Sequence, residues 1–409
     1  MKRLALLLAL SLPDAVAAAP CDGPACDLAT LKPVMKKLAA ARDAKPGTPP
    51  VHIIQIGDSH TAGDVLTGAW RDLLQARYGS GGRGVLAPGR PWDGYITHGV
   101  TATMSPGWAV SATFGKGSAD PRPPLGLSSY ALRAVQPGAS IGLTADSPAM
   151  AFDRVVLCGL AQPAEASVTV RTGTIEQRID LSSDSATPRC RTIRTETPQL
   201  AVSVVADGPA TLLSIATFRD QGGVALSNLG VVGAQLQHFA RTDDALVAAE
   251  LQTYAPDLIV LAFGTNEGFT PKFDPRAYEA TLRGQIDRLR TLAPGVPLLL
   301  LGAPDALTRN AALRSNADGM LLTCPDPGPA PLFAPPALGM VRGIQRKVAS
   351  ELGIAFWDWQ AGMGGPCAAR AWPNADPPLM RPDHVHFRWP GGQILATRLQ
   401  ADIDRATSE

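Results

Sequence analysis

The sequence has no excess of charge of either sign: 37 lysines and arginines stand against 36 aspartates and glutamates, a net charge of +1, and no dense basic run appears. That balance removes the electrostatic footprint of a nucleic-acid-binding protein. Long apolar runs are also missing. The N-terminal one, Leu4 to Leu12, falls well short of the roughly 20 residues that cross a bilayer, and no later segment reaches that length, so no transmembrane anchor is expected. No CxxC pair occurs among the six cysteines, which argues against a metal site. Glycine (40) and proline (37) are abundant but neither periodic nor confined to one tract, which excludes collagen-like and wholly disordered chains. No internal repeat is present. What remains is a globular chain of 409 residues, long enough for two modest domains or one large one.

The N-terminus is informative. Lys2 and Arg3, then the apolar run, then Ala15-Val16-Ala17 before Ala18 and Ala19 read as a secretory signal peptide over residues 1–19. Its removal takes away Lys2, Arg3 and Asp14 and leaves a formally neutral chain. In an exported protein, Cys21, Cys26, Cys158, Cys190, Cys324 and Cys367 read as disulfides. Sequence proximity pairs Cys21 with Cys26, Cys158 with Cys190 and Cys324 with Cys367.

Short apolar runs at Val51–Ile56, Leu258–Phe263, Leu298–Leu301 and Ile354–Trp357 have the character of strands buried on both faces. Between them, Tyr278, Leu282, Ile286 and Leu289, and Val341, Ile344, Val348 and Leu352, recur at helical spacing. Alternating strands and helices predict a parallel sheet covered on both faces, an α/β fold. From about His98 to Gln221 the pattern changes to short alternating pieces such as Val168 and Val170, or Val202 and Val204, which predict antiparallel β structure. With α/β segments on both sides, this stretch reads as an insertion. The expected organisation is a first α/β part over 20–97, an inserted β-rich domain over 98–224 and a second α/β part over 225–409.

Gly57-Asp58-Ser59-His60 follows the first strand directly. A serine at a strand-to-helix turn exposes its hydroxyl above the sheet beside free helix N–H groups, a geometry that suits a nucleophile. Serine needs a histidine to accept its proton, and the histidine needs a carboxylate to orient it. Asp383-His384-Val385-His386 supplies both. Gly230-Val231-Val232-Gly233-Ala234 and Gly264-Thr265-Asn266-Glu267 offer donors to a developing oxyanion through the Gly233 N–H and the Asn266 amide. Each segment alone is an ordinary turn or N-cap.

Together and in this order, the four blocks resemble the SGNH (GDSL-type) hydrolases, over about residues 50–97 and 225–405. The resemblance implies a flavodoxin-like α/β/α sandwich with Ser59 as nucleophile, His386 as general base then acid, and Asp383 as its orienter. It also implies an oxyanion hole of the Ser59 N–H, the Gly233 N–H (with Gly230 as the alternative) and Asn266, and no metal or cofactor. His60, Glu267, Thr61-Ala62-Gly63, Phe356-Trp357-Asp358-Trp359, Met363-Gly364-Gly365 and Asp383 to Phe387 are similar to the bacterial peptidoglycan O-acetylesterases. That subgroup carries a β-rich, carbohydrate-binding-module-like insertion.

The expected activity is removal of O-acetyl groups from an exported, O-acetylated glycan, peptidoglycan first, in the periplasm. A glycan O-acetyltransferase, a general carboxylesterase or lipase-like hydrolase, and a non-catalytic glycan-binding protein are the alternatives. His60 and His384 stay outside the expected catalytic set. Trp92 and Trp108 are expected at a substrate rim, Trp357 and Trp359 in packing. Gly79 to Gly84 lacks the lysine of a nucleotide-binding loop and is expected near the active site.

Overall fold

The computed structural model describes residues 23–163, 166–314, 322–324 and 331–408. The signal-peptide reading of residues 1–19 and the Cys21 pairing lie outside them.

The central sheet runs in the order Ala25–Cys26, Ala355–Asp358, Leu298–Gly302, Leu258–Ala262, Val51–Gly57, Val224–Gly230. All neighbours are parallel except the short Ala25–Cys26 edge, which is antiparallel to Ala355–Asp358. Taken in chain order, the five parallel strands have the 2-1-3-4-5 arrangement of flavodoxin-like folds. Alternation along each strand sends side chains to opposite layers. Ile54, Ile56, Ile259 and Leu261 meet one core with Leu282, Ile286, Val341 and Val348 of the Pro275–Leu292 and Pro336–Leu352 helices. Ile53, Val260 and Leu299 meet the other with Trp70 and Leu74 of the Val65–Tyr78 helix and Leu395 and Leu399 of Trp389–Ser408. The expected α/β/α sandwich with a parallel sheet is therefore present.

The helical period placed Ile344 and Leu352 with the core, where both are only partly buried. It gave no reason to bury Gln345, yet that side chain is fully buried: its Nε2 donates to the Phe263 carbonyl (2.8 Å) and the Ala303 N–H donates to its Oε1 (2.9 Å). A paired amide satisfies burial that spacing alone cannot anticipate.

Between the Val51–Gly57 and Val224–Gly230 strands the chain builds two antiparallel sheets. One orders Ile175–Asp180, Ser167–Thr172, Ala201–Ala206, Ser140–Ala145 and Val100–Met104. The other orders Thr187–Gln199, Phe152–Ala161, Thr211–Phe218, Tyr130–Ala134 and Trp108–Ala112, with Gly84–Leu86 also paired to Thr211–Phe218. Their inner faces share a core containing Val168, Val170, Val202, Val204, Leu157 and Ile215, the packing of a β-sandwich. Gly84–Leu86 joins this sandwich although it precedes the 98–224 stretch that composition alone marked out.

Cys158–Cys190 links directly paired residues of two sandwich strands, and Cys324–Cys367 ties the Leu322–Cys324 strand to the turn before the Ala368–Ala371 helix. Both pairings match the sequence expectation. Among the described residues no helix is long and apolar enough to cross a membrane.

Sandwich and α/β layers share buried contacts. The Leu127 N–H and the Ser214 hydroxyl of the sandwich donate to the Glu250 carboxyl, and the Asp243 N–H donates to the Leu125 carbonyl (2.8 Å). Leu127, Tyr130, Val156 and Phe218 join the same core as Leu251 and Tyr254.

Candidate active site

In a flavodoxin-like sheet the ligand-binding crevice lies beyond the carboxyl ends of the strands, where the strand order reverses around the first strand. Ser59 stands there. Its strand ends at Gly57, which pairs with Gly230 on one side and Ala262 on the other, so the segments bearing Gly233 and Asn266 leave the sheet at the same level as Ser59. Two glycines permit the tight exit. A Cβ on Gly57 would lie 2.3 Å from Thr61 Oγ1, and one on Gly230 would lie 2.2 Å from the Ala62 nitrogen. Gly230 is thus closed against the Ser59 helix, whereas Gly233 lies in a half-buried turn at φ +76°, the left-handed region that favours glycine.

Ser59 opens a short helix, Ser59–Ala62, capped by Asp58, whose carboxyl accepts from the His60 N–H (2.9 Å). Thr61 anchors this turn: Gln55 Nε2 donates to its hydroxyl (2.9 Å) and Asn228 Nδ2 to its carbonyl (3.0 Å).

From the other end of the chain comes the loop between Met380 and Phe387, which are themselves bridged. Asp383 Oδ1 accepts from the Val385 and His386 N–H groups (both 2.9 Å), leaving Oδ2 free to turn to the ring of His386 at 2.9 Å. This is why the Asp-x-x-His spacing works. A carboxylate only accepts, so His386 Nδ1 carries the proton and Nε2 is left as an acceptor, 3.1 Å from Ser59 Oγ. Burial alone would raise the Asp383 carboxyl, but the two amides and the His386 ring outweigh it and hold it below the usual carboxylate range. The His386 and Asp383 side chains keep 37% and 44% of their exposure, so substrate and water reach the imidazole.

Burial shapes several neighbouring groups. His60 is buried with its ring 5.5 Å from that of His386 and 5.4 Å from Trp359. Burial, then the proximity of His386, pushes it down to about 3, so it presents a neutral ring to the imidazole. His384 adopts φ +59°, and its Nδ1 pairs with the Ala369 carbonyl at 2.9 Å. It braces the loop. Burial raises Asp58 to about 8 and Glu267 to about 7, with each other's proximity adding to the rise of Asp58, and Glu267 Oε1 accepts from the Leu236 N–H (2.7 Å).

Asn266 Nδ2 donates to the Ala234 carbonyl (2.9 Å), which fixes the amide beside the Gly233 turn. Gln235 locks the same corner from outside, its Nε2 donating to the Asn266 carbonyl (3.1 Å) and to Thr270 Oγ1 (2.6 Å).

Phe114 is the residue that sequence reasoning missed. It follows the Trp108–Ala112 strand of the sandwich, and its ring lies over Gly233, with Cε1 2.9 Å from where a Cβ would stand. It also stacks on His238 at 4.3 Å between centroids. Arg241 Nη1, donating to the Thr113 carbonyl (3.1 Å), holds this loop against the α/β layer. No motif marks Phe114, because its role depends on a sandwich loop folding back over a turn more than a hundred residues later.

Three expectations need correction. Gly79 to Gly84 lies at the opposite end of the sheet from Ser59: the Gly81 N–H donates to the Val224 carbonyl, and Gly81 abuts Pro50, just before the first strand begins. Glycines serve there for close backbone approach. Trp92 packs between Tyr95 (4.6 Å) and Tyr130 (5.3 Å), and Trp108 lies against the sandwich core with Nε1 donating to the Ser140 carbonyl (3.2 Å). Both rings are engaged in packing. Trp357 and Trp359 are buried as expected.

The GDSL-like lipase/acylhydrolase family model matches residues 207–394. No curated protein matches the chain in sequence. Among solved structures, it is similar to a peptidoglycan O-acetylesterase, with 26% identity over 94% of this chain and 99% of that one and a TM-score of 0.74. A family two carbohydrate esterase from Cellvibrio japonicus shares 13% identity over 76% of this chain and 98% of that one, with a TM-score of 0.28. An acetyl xylan esterase shares 17% over 45% and 82%, with a TM-score of 0.31. The family match over residues 207–394 and the full-length likeness to one esterase agree with the strand order and the turn at Ser59, and together they support membership of the SGNH (GDSL-type) superfamily of ester hydrolases, near the peptidoglycan O-acetylesterases.

Proposed function

We propose that the protein removes O-acetyl groups from an exported glycan, O-acetylated peptidoglycan being the substrate that the likeness to a peptidoglycan O-acetylesterase favours, and that it does so through an acetyl-serine intermediate. The observation that carries this reading is the unbroken hydrogen-bond chain from Ser59 Oγ through the His386 ring to Asp383. Ser59 attacks the acetyl carbonyl carbon while its proton passes to His386 Nε2. The Ser59 and Gly233 N–H groups and the Asn266 amide receive the negative charge that develops on the carbonyl oxygen. The carbon–oxygen bond to the sugar then breaks, and His386 returns its proton to the departing sugar oxygen. Water attacks acetyl-Ser59, giving a proton to His386 that goes back to Ser59 as acetate leaves. Asp383, held as a carboxylate, stabilises the imidazolium formed in each half.

Phe114 narrows the cleft beside Gly233, which favours a short acyl group. The signal-peptide pattern at residues 1–19 and the disulfides support export to an oxidising compartment, and a peptidoglycan substrate would make that compartment the periplasm.

The test is acetate release from O-acetylated peptidoglycan by the mature protein and by Ser59→Ala. Loss of about a thousandfold or more in the variant is expected. Release that persists in Ser59→Ala, or no release from peptidoglycan by the wild type, would overturn the nucleophile or the substrate respectively.

A further inference from the structure

Lined in part by Asp383, an open groove of about 730 Å³ runs between the loop after Met380 and the segment leading into the sandwich. One wall is Ile96, 48% exposed, and His98. Pro377, Pro378 and the ring of Trp389, which packs on the His98 ring at 4.6 Å between centroids, also line the groove. Apolar rings and an exposed aliphatic side chain are the surfaces on which the faces of a pyranose pack.

The groove is built in advance. The His98 N–H donates to Asp64 (3.0 Å), and its carbonyl accepts from Arg71 (3.2 Å) and Arg83 (2.8 Å), all three buried. Trp389 is seated on Gly68, where a Cβ would come within 3.0 Å of its ring. Little ordering is left for a ligand to impose.

Two cations line it, Arg381 and Arg388. Their backbone N–H groups hold the hairpin by donating to the His386 and Leu379 carbonyls (2.7 and 2.9 Å). Their guanidiniums are exposed and have no carboxylate partner among the described residues. Most other arginines near carboxylates in this protein are paired, including Arg71, Arg83, Arg154, Arg288 and Arg346. The acid in the groove, Asp383, is already engaged by His386 and two amides.

We infer that this groove is a subsite for a carboxylate-bearing sugar, with Arg381 and Arg388 as its anion-recognising residues. The inference rests on the glycan esterase reading and names the substrate class within it. A muramoyl residue has the required shape: across the pyranose from the primary hydroxyl that bears the acetyl group it carries a lactyl ether, whose carboxyl continues into a peptide stem ending in carboxylates. With the acetyl group at Ser59, one imidazole away from Asp383, the sugar ring would extend toward the groove and the free carboxylates of its peptide stem toward the two guanidiniums, which suit carboxylate geometry.

The experiment compares kcat/KM on two soluble 6-O-acetylated substrates, a muropeptide with free carboxylates and an acetylated N-acetylglucosamine oligomer without any. Wild type, Arg381→Glu/Arg388→Glu and Arg381→Lys/Arg388→Lys are assayed at low and high salt. The wild type is expected to prefer the anionic substrate, and the glutamate pair to lower that preference roughly fivefold to tenfold, as expected of two exposed charge contacts. The lysine pair, keeping charge but not the planar fork, should retain most of it, and salt should erode it in the wild type. A preference that survives in the glutamate pair, or is absent from the wild type, overturns the subsite. If the wild type cleaves neither substrate through Ser59, the esterase reading fails instead, and the two failures are distinct.

Discussion

Asp58 and Asp64 flank the Ser59 helix, six positions apart, and are equally inaccessible at 1% and 0% exposure, yet they titrate in opposite directions. Burial raises Asp58 to about 8, with the nearby Glu267 adding to the rise. Burial would raise Asp64 too, but Arg71 and Arg83, 2.8 and 2.9 Å away, outweigh it and hold that carboxylate far below the usual range. The same desolvation cost is met in two ways: by neutralising the acid where no cation is near, and by full pairing where two are. One side of the serine turn is consequently a corner where burial favours the protonated acid. The other is a rigid ionic clamp that fixes His98 and, through Arg83 and Asn228, the Thr61 carbonyl.

The largest break in this contrast comes from Asp64→Asn. It leaves two buried guanidiniums without their counter-charge, and a loss of about 3–5 kcal/mol in urea unfolding at pH 7 is expected. A loss below about 1 kcal/mol would show that the clamp is not structural.

Glu250 extends the uncharged case to the sandwich interface. Burial pushes it up to about 7 from an ordinary 4.5, opposed only by the Ser214 hydroxyl and the Leu127 amide. Since its folded value lies above its unfolded one, the unfolded chain releases this proton first, and stability falls as pH rises from about 4.5 to about 7. Glu250→Gln should remove that fall, on the order of 3 kcal/mol across the window, measured as urea midpoints against pH. An unaltered slope would mean that the carboxyl is ionised in the fold.

Asp58→Asn should be mild in acid, within about 1 kcal/mol below pH 3.8, because the native group is then protonated both folded and unfolded and an amide oxygen can still accept from the His60 N–H. The difference grows with pH. Wild type loses stability as pH rises from about 3.8 toward 8 while the variant does not, so the variant gains on the wild type across that window, neutral pH included. A neutral-pH loss as large as that of Asp64→Asn would erase the contrast.

Smallest in stability is Phe114→Ala, which trims a half-buried ring. Its effect is read in selectivity: the ratio of kcat/KM for butyryl over acetyl esters of one alcohol should rise about tenfold. No change would remove Phe114 from the acyl side of the cleft.

Much of the α/β layer was legible before any coordinates. Runs such as Val51–Ile56 and Leu258–Phe263 are apolar at every position because a parallel sheet covered on both faces demands it, and no surface helix shares that pattern. Ser59, Gly233, Asn266, Asp383 and His386 were legible for another reason: each sits at a strand exit or in a tight turn, where few residue types satisfy the backbone and the short spacing is itself the geometry. What sequence misjudged was position across the molecule. Gly79 to Gly84 reads as a loop near the active site because glycine marks close approach without saying to what, and it approaches Pro50 at the other end of the sheet. Trp92 and Trp108 looked like sugar platforms because an aromatic ring serves packing and recognition equally well.

The sequence by itself determined the alternation of strand and helix, the change to antiparallel pairing, two disulfide pairings and the candidate residues of the site, Ser59, Asp383 and His386. Each of these is local, fixed by side-chain period, turn chemistry or nearness along the chain. Only the tertiary structure decided that Ser59 meets His386 across 327 positions, that Phe114 of the sandwich covers Gly233, and that Asp58 and Asp64 carry opposite charge states. Those properties depend on which distant groups share a desolvated volume, and a linear chain does not record that.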